Sequence, residues 1–381
     1  MSANPVSSAS PAGGLTPVTR TISDRIRIAR TLCIFFMTFV HVQPGIAGNV
    51  YDRDAGFFDI VYFVLTRLLG LSSVSLLSVV SGFFIVSSLQ KAGTPALYRS
   101  KAKTLVVPLV SWNLLMLALL GLYGLLSGKW QDWPQFTPLG LGNAIIALDS
   151  WPLVVPLWFL RDLFVCCLLS PLLLQALRRW PVVTILALVV FTLFGENLHI
   201  LQRPQLLLFF GLGMWLRLGG ITEAGIDRIA RPLAFGLAIM TAVFLTIRIE
   251  RILLSEMDVT LRLTLDTLLR ITMAAAFWRA TEAIRRSPLA EPFMRFEPYA
   301  FFLFCSHAIL FNFGGIVFRR AFGNYGSDLF AITFFALPCL AVVAAIAGLR
   351  IINRSDLLLF LFNAGHRLPV AAGTSRQRVT A

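Results

Sequence analysis

An arginine and a histidine near the N-terminus have the types and the spacing for acid–base chemistry within a membrane. Arg30 is followed by ten residues and then by His41 in the apolar stretch RTLCIFFMTFVHVQPG. Eleven helical steps make about three turns and about 16 Å of rise, so both side chains would lie on one helix face. An ionisable group at membrane depth usually faces a partner or a cavity, and histidine is a common general base. The spacing therefore predicts a base at His41, with a hydrogen-bonded packing histidine as the alternative.

Other ionisable and aromatic side chains within apolar segments are further candidates. The set comprises Trp158, Arg161, Asp162, Arg270 and His307. Asp266 precedes Arg270 by four residues, so a purely structural ion pair is the alternative for that arginine. Ser81 and Gly82, by contrast, are expected to permit close packing between helices rather than to act as a nucleophile site.

The composition indicates an all-α polytopic membrane protein. Of the 381 residues 57% are hydrophobic and 14% charged, whereas soluble domains carry about 25% charged residues. A membrane span needs about 17–25 apolar residues. About ten transmembrane helices are predicted near 30–48, 72–90, 104–127, 155–177, 181–197, 204–219, 231–248, 262–282, 299–318 and 328–350. The apolar piece 57–69 is predicted to be a helix that lies at, or dips into, the outer face rather than an eleventh span.

The distribution of positive charge predicts the orientation of the chain. The net charge is +14, and Lys and Arg beside membrane helices on the cytoplasmic side account for such a surplus without nucleic acid. With the N-terminus in the cytoplasm most Lys and Arg fall on that side, Arg319 and Arg320 being exceptions. We therefore expect both termini to be cytoplasmic. The predicted divisions are a disordered tail over 1–22, a transmembrane domain over 23–354 and a C-terminal tail over 355–381.

The cysteines give no indication of a metal site. All five lie in apolar runs without CxxC or Cys/His ligand spacing, so they are interpreted as small buried hydrophobes. No Gly-rich phosphate loop or Ser/His/Asp order is present, and we expect no bound metal.

Five segments, taken in order, resemble the membrane acyltransferase-3 family. They are IRIARTLCIFFMTFVH, SVVSGFFIVSSL, YRSKAKTLVVPLVSW, PLWFLRDLFVCCLLSPLL and FFLFCSHAILF. The first keeps the family's Arg, ten residues, His spacing but has Arg27 where the family has Asp. The third has Thr104 near the second Arg of a basic pattern. Any one segment is a weak signal, whereas the five in family order over about residues 25–320 make a strong one.

The resemblance implies that the protein transfers an acyl group from cytoplasmic acyl-CoA, used as a co-substrate with no permanently bound cofactor. Arg30, Arg99, Lys101 and Lys103 would neutralise the CoA phosphates, although membrane topology alone would also explain the three loop residues. His41 would act as general base on an acceptor hydroxyl or would carry the acyl group itself. The candidates named above, Trp158 and His307 among them, would form the acceptor or acyl-group site.

Within that family the chain is most similar to bacterial inner-membrane members that succinylate exopolysaccharides of the succinoglycan type. Succinyl is then the expected acyl group, with acetyl as the other choice, and Arg161 or Arg270 could supply a cation for a charged acyl group. The expected partners are the lipid bilayer, a glycan or lipid-linked oligosaccharide acceptor and polysaccharide-synthesis proteins. A polytopic transporter or flippase for a glycan or lipid precursor is the alternative function.

Overall fold

The chain folds entirely into helices in the part that the structure describes. The computed structural model describes residues 17–47, 50, 56–130, 133–195, 198, 200–250, 252 and 256–369. Within those ranges there is no β-strand, which confirms the predicted all-α class.

Thirteen α-helices and two π-helical segments make up the described bundle. The first half contains α1 Arg20–Val40, α2 Phe57–Phe63, π1 Val64–Gly70, α3 Leu71–Lys101, π2 Ala102–Val106, α4 Val107–Ser127 and α5 Pro138–Ile146. The second half contains α6 Trp158–Arg179, α7 Pro181–Phe194, α8 Gln205–Leu218, α9 Glu223–Ile249, α10 Val259–Arg285, α11 Ala290–Phe322, α12 Phe330–Ile352 and α13 Asp356–Phe362.

Local sequence sets where several of these helices begin and end. The side-chain oxygen of Thr19 accepts a hydrogen bond from the Ile22 N–H at 3.2 Å and caps α1. Asp258 caps α10 in the same way, through the Leu261 N–H at 2.9 Å. Gly128 ends α4 in the left-handed conformation, with φ of 70°, which a glycine adopts without steric cost.

Five described helical stretches are long and apolar enough to cross a membrane. They are Phe57–Ser127, Val155–Arg179, Glu223–Ile249, Ala290–Phe322 and Phe330–Ile352, and the helices Pro181–Phe194 and Gln205–Leu218 are apolar but shorter. Charged side chains interrupt α1 and α10. The predicted number of about ten spans and the cytoplasmic placement of both ends stay predictions.

The segment 57–69 is helical, as predicted, but it is continuous with the next helix, and its position at the outer face stays a prediction. α2 and π1 run directly into α3, as part of one helical stretch of 71 residues that contains the predicted second and third spans. Its backbone turns at Gly93, where φ is 73°. A stretch of that length exceeds what one crossing needs.

The two predicted tails have ordered parts. α1 begins at Arg20, within the predicted tail 1–22, while residues 1–16 lie outside the described ranges. In the C-terminal segment the apolar sequence DLLLFLF forms α13, and the Trp112 indole N–H donates to the Phe362 carbonyl at 3.0 Å. Residues 370–381 lie outside the described ranges.

A buried arginine joins α1 to α9 and α10. The Arg25 side chain is fully buried, and its guanidinium nitrogens lie 3.0 Å from Glu223 and 2.9 Å from Asp227. It also donates to the Trp278 carbonyl at 2.9 Å and to the Thr281 hydroxyl at 3.1 Å. This end of the bundle, where α1, α9 and α11 begin and α10 ends, is called the N-side below. The opposite end, where α1 finishes at His41, is called the His41 side.

Two glycines let α3 and α8 approach until their backbones touch. A Cβ atom on Gly82 would lie 1.9 Å from the Phe210 carbonyl oxygen, and one on Gly213 would lie 2.0 Å from the Val79 oxygen. The packing role predicted for Gly82 is confirmed. Neighbouring Ser81 donates its hydroxyl to the Leu77 carbonyl within α3.

Arg25→Ala is expected to destabilise the protein strongly, because Glu223 and Asp227 lose the cation between them. Removing one partner of a buried ion pair costs about 3–5 kcal/mol, and the thermal midpoint in detergent should fall clearly. Arg295→Ala is the matched control, since Arg295 and Glu291 form an exposed pair. Equal midpoints for the two variants would contradict the anchoring role of Arg25.

Gly82→Ala is expected to lower the thermal midpoint because the added methyl group meets backbone that cannot move aside. Overpacking of this kind costs about 1–3 kcal/mol. Gly314→Ala in α11 is the control, since its Cβ would lie 3.8 Å from the nearest side chains, in ordinary contact. An equal fall of the thermal midpoint in Gly314→Ala would show that replacing any helical glycine, and not the close approach of two helices, lowers the stability.

Candidate active site

His41 stands at the end of α1 and faces a second histidine. α1 ends at Val40, and the His41 N–H donates to the Thr38 carbonyl at 3.1 Å. The ring centroids of His41 and His307 are 5.1 Å apart with an interplanar angle of 54°. Two imidazoles from positions 266 residues apart in sequence therefore meet where α1 packs against α11.

The surroundings of His307 fix which ring nitrogen carries its proton. His307 is fully buried in α11, and its Nδ1 lies 3.0 Å from the Leu303 carbonyl oxygen. Because a carbonyl only accepts, Nδ1 is the donor and the neutral ring keeps its lone pair on Nε2. That Nε2 is buried and has no hydrogen-bond partner among the described residues. His307 is thus a buried proton acceptor beside His41.

The loop that follows His41 is tied down on the same side. The Tyr325 N–H donates to the Pro44 carbonyl at 2.8 Å, and the Tyr325 hydroxyl donates to the Asp59 carboxylate. Burial, together with that hydrogen bond, raises the pKa of Tyr325, so its hydroxyl keeps its proton. Pro44, which follows α1, and Asp59 of α2 are therefore both bonded to Tyr325 in the α11–α12 loop.

A first cavity opens from His41 between α1, α4, α5 and α11. Its volume is about 750 Å³. Amide and indole side chains line much of this cavity, and we call it the amide–aromatic cavity. Its polar and aromatic walls include Gln43, Trp133, Gln135, Asn143, Ser150, Trp151 and Asn312. Such a lining suits a ligand with many hydroxyl groups and apolar ring faces.

A second cavity, of about 570 Å³, opens from His41 between α1, π1, α3, α8 and α10. Four arginines line it, against one carboxylate among the described residues of its wall, and we call it the cationic cavity. The charged residues are Arg67, Arg203, Arg262, Asp266 and Arg270. His41, Val40, Trp151, Val155 and Pro156 line both cavities, so His41 stands where they meet.

Asp266 pairs more closely with Arg67 than with Arg270, although the sequence spacing predicts only Arg270 as its partner. Arg67 donates to Asp266 at 2.5 Å, whereas the closest Arg270 nitrogen lies 3.9 Å from that carboxylate. Arg270 instead donates to the Leu71 carbonyl at 2.5 Å. Arg67 comes from π1, and π-helical turns are frequent at functional sites.

Of the remaining candidates, Trp158 lines the cationic cavity, while Arg161 is held by structural contacts. Arg161 donates to Asp162 at 2.9 Å, to the Ile200 carbonyl at 2.6 Å and to the Leu148 carbonyl at 3.0 Å. It is absent from the described linings of both cavities. The arrangement gives Arg161 a role in joining loops.

Asp162 is buried and holds the loop that carries Arg203. Its carboxylate accepts from the Gln202 N–H at 3.1 Å and from the Arg203 N–H at 3.0 Å. The Arg203 guanidinium then lies 5.5 Å from the centre of the Trp151 ring at the wall of the cationic cavity. Asp162 thus acts on the site through Arg203.

Arg30 lies on the N-side, and the helix face between it and His41 is filled. Arg30 pairs with Glu297 of α11 at 3.2 Å, and its side chain is 43% exposed. On the same face Ile34 is 8% exposed and Met37 4% exposed. Arg30 and His41 therefore share a face, as predicted, but an open groove does not run along it.

The other three predicted CoA-binding residues lie far along the chain from the α3 end that faces His41. α3 begins beside His41, because a Cβ on Gly70 would lie 2.4 Å from Val40, and it runs to Lys101. Arg99 and Lys103 are exposed, Lys101 is half-buried, and the described residues provide them with no ion pair.

The chain is similar to known acyltransferases over most of its length. The model of an acyltransferase domain matches residues 24–354. The succinoglycan biosynthesis protein ExoH of Rhizobium meliloti (strain 1021) is 28% identical over 349 residues, which are 89% of this chain and 92% of that protein. No solved structure matches the chain. Because the family model covers most of the chain, the chain belongs to the acyltransferase-3 family and is a membrane acyltransferase.

Proposed function

We propose that this protein is a multi-pass inner-membrane O-acyltransferase that takes an acyl group from cytoplasmic acyl-CoA. The acyl group is succinyl in preference to acetyl. The acceptor is a sugar hydroxyl of an exopolysaccharide or of its lipid-linked precursor. The observation that carries the proposal is the position of His41, which lies beside His307 where the two cavities meet. The likeness to a succinoglycan biosynthesis protein supports the choice of acceptor class.

His41 acts as the general base for the attacking hydroxyl. A ring nitrogen of His41 takes the hydroxyl proton, the sugar oxygen attacks the thioester carbonyl, and a C–O bond forms as the C–S bond breaks. The proton then passes from His41 to the departing thiolate. We propose that the His307 Nε2 lone pair, which has no partner among the described residues, accepts an N–H from His41 once that ring is protonated and so stabilises the cation.

Because His41 lines both cavities, a hydroxyl from one and a thioester from the other can reach it together, and direct transfer in one step is the route we propose. An acyl-histidine route also needs both substrates to reach His41, but one after the other.

The amide–aromatic cavity is the acceptor site. Indole faces of Trp133 and Trp151 can cover the apolar faces of a sugar ring, and the amides of Gln43, Asn143 and Asn312 can exchange hydrogen bonds with its hydroxyls. The cavity volume of about 750 Å³ is large enough for a sugar ring.

The acyl-CoA arm reaches His41 through an apolar cavity and not along the filled face of α1. That cavity, of about 190 Å³, lies between α1, α3, α8, α9 and α10 and has Ile22, Ile26 and Trp278 at its N-side end. Phe209 lines both this cavity and the cationic cavity, so the proposed route passes that side chain. Arg30, Arg99, Lys101 and Lys103 remain proposed partners of the CoA phosphates outside this track.

His41→Ala is expected to abolish transfer while the protein stays folded. Loss of a general base lowers the rate by about 10²–10⁴-fold, measured with labelled succinyl-CoA and glycan acceptor on purified protein in lipid vesicles. His366→Ala is the matched control, because that histidine is exposed beyond α13. An active His41→Ala protein would contradict the mechanism. Transport of unmodified glycan by the wild-type protein, without acyl transfer, would favour the flippase function.

His307→Ala is expected to reduce the rate less than His41→Ala does. A hydrogen bond to a charged group contributes about 1.5–3 kcal/mol, which corresponds to about a 10–100-fold loss of kcat. Wild-type KM for the acceptor should be retained, because His307 lies outside the amide–aromatic lining. A KM change with kcat intact would instead place His307 in acceptor binding.

A further inference from the structure

The cationic cavity contains more positive charge than its own wall neutralises. Asp266 is the carboxylate on the described wall, and Arg67 and Arg270 both turn toward it. Arg203 and Arg262 have no carboxylate of their own there. The side chains of Arg67 and Arg270 are 16% and 14% exposed, and the Nε atom of each is buried without a hydrogen-bond partner in the described structure.

Burying arginines that no carboxylate neutralises within a membrane protein costs free energy, and a bound anion removes that cost. A charged side chain at this depth normally pairs or lines a ligand path, and a guanidinium suits a carboxylate because its donors form a planar fork. The cavity therefore favours a ligand whose own charge is negative, carried on a compact planar group.

The position of the arginines relative to His41 indicates which part of the reaction they serve. Arg270 holds the Leu71 carbonyl, and the adjoining Gly70 packs on Val40, one residue before His41. His41 and Arg270 share the cavity wall with Val74, Ser75 and Ser78 of α3. His41 and the arginines therefore face the same cavity.

We propose that the cationic cavity binds the free carboxylate of a dicarboxylic acyl group whose thioester carbonyl lies at His41. Arg67 and Arg270 bind the carboxylate, and Asp266 competes with it for their charge. This inference rests on the proposed function and adds the residues that select a charged acyl group over an uncharged one. A four-carbon chain fits within the cavity of about 570 Å³.

The amide–aromatic cavity lacks such charge, which favours the donor as the source of the anion. Its described lining contains no arginine or lysine. An acidic sugar or a carrier diphosphate on the acceptor would supply similar chemistry, however, so the experiment must separate the two sources.

The test compares succinyl-CoA with butyryl-CoA, which has the same chain length but no terminal carboxylate. Arg270→Gln and Arg67→Gln are assayed in lipid vesicles with one fixed acceptor. We expect kcat/KM for succinyl-CoA to fall about 10–100-fold in each variant, with butyryl-CoA changed less than about 3-fold. Retained butyryl transfer also shows that the variant has folded.

Two results would overturn the proposal. Equal losses with both donors, together with a raised KM for the acceptor, would assign the anion to the acceptor. If Arg270→Gln and Arg67→Gln keep the wild-type ratio of kcat/KM for the two donors, the arginines do not bind the carboxylate of the acyl group. Asp266→Asn provides a sign test: it frees both arginines, so discrimination in favour of succinyl-CoA should be kept or increased.

A binding measurement separates this proposal from the proposed function. Free succinate should raise the thermal midpoint of the wild-type protein more than butyrate does, and Arg270→Gln and Arg67→Gln should remove the difference. If the wild type transfers neither donor while succinate still stabilises it, the proposed function fails and the carboxylate site stands. If succinate and butyrate act alike on the wild type, the carboxylate site is wrong.

Discussion

The buried guanidinium of Arg25 is the interaction on which the position of the candidate site depends. It joins α1 to Glu223 and Asp227 at the start of α9 and to the end of α10. α1 is thereby fixed along its axis, and its rise sets the height at which His41 meets His307. α10 carries Arg270 on the same framework, so one anchored pair of helices places both the base and a cation of the cavity.

Two cavities with different linings meet at His41. The amide–aromatic side offers neutral hydrogen-bonding groups and indoles, and the cationic side offers arginines around Asp266. Buried Asp162 holds the loop of Arg203, which lies over Trp151 at the junction. His41 therefore lies between a region suited to sugars and a region suited to anions.

The sequence allowed the helical class, the Arg30–His41 face and His307 as a candidate to be predicted, because these depend on local composition, helical period and motif order. The meeting of His41 with His307 and the pairing of Arg67 with Asp266 join segments far apart in the chain, and spacing along one helix carries no signal for them. Arg161 was a reasonable candidate by depth alone. Its three structural hydrogen bonds depend on loops whose paths only the fold determines.

We propose that His41 acts as the base for transfer of an acyl group to a glycan at the junction of the two cavities. The most direct measurement is the mass of the exported polysaccharide from cells that lack this protein and carry either the wild-type chain or His41→Ala. We expect exported polymer from both kinds of cell, with the acyl mass present for the wild-type chain and missing for His41→Ala. Polymer that carries the acyl group in both cells, or that accumulates inside the variant cells, would contradict it.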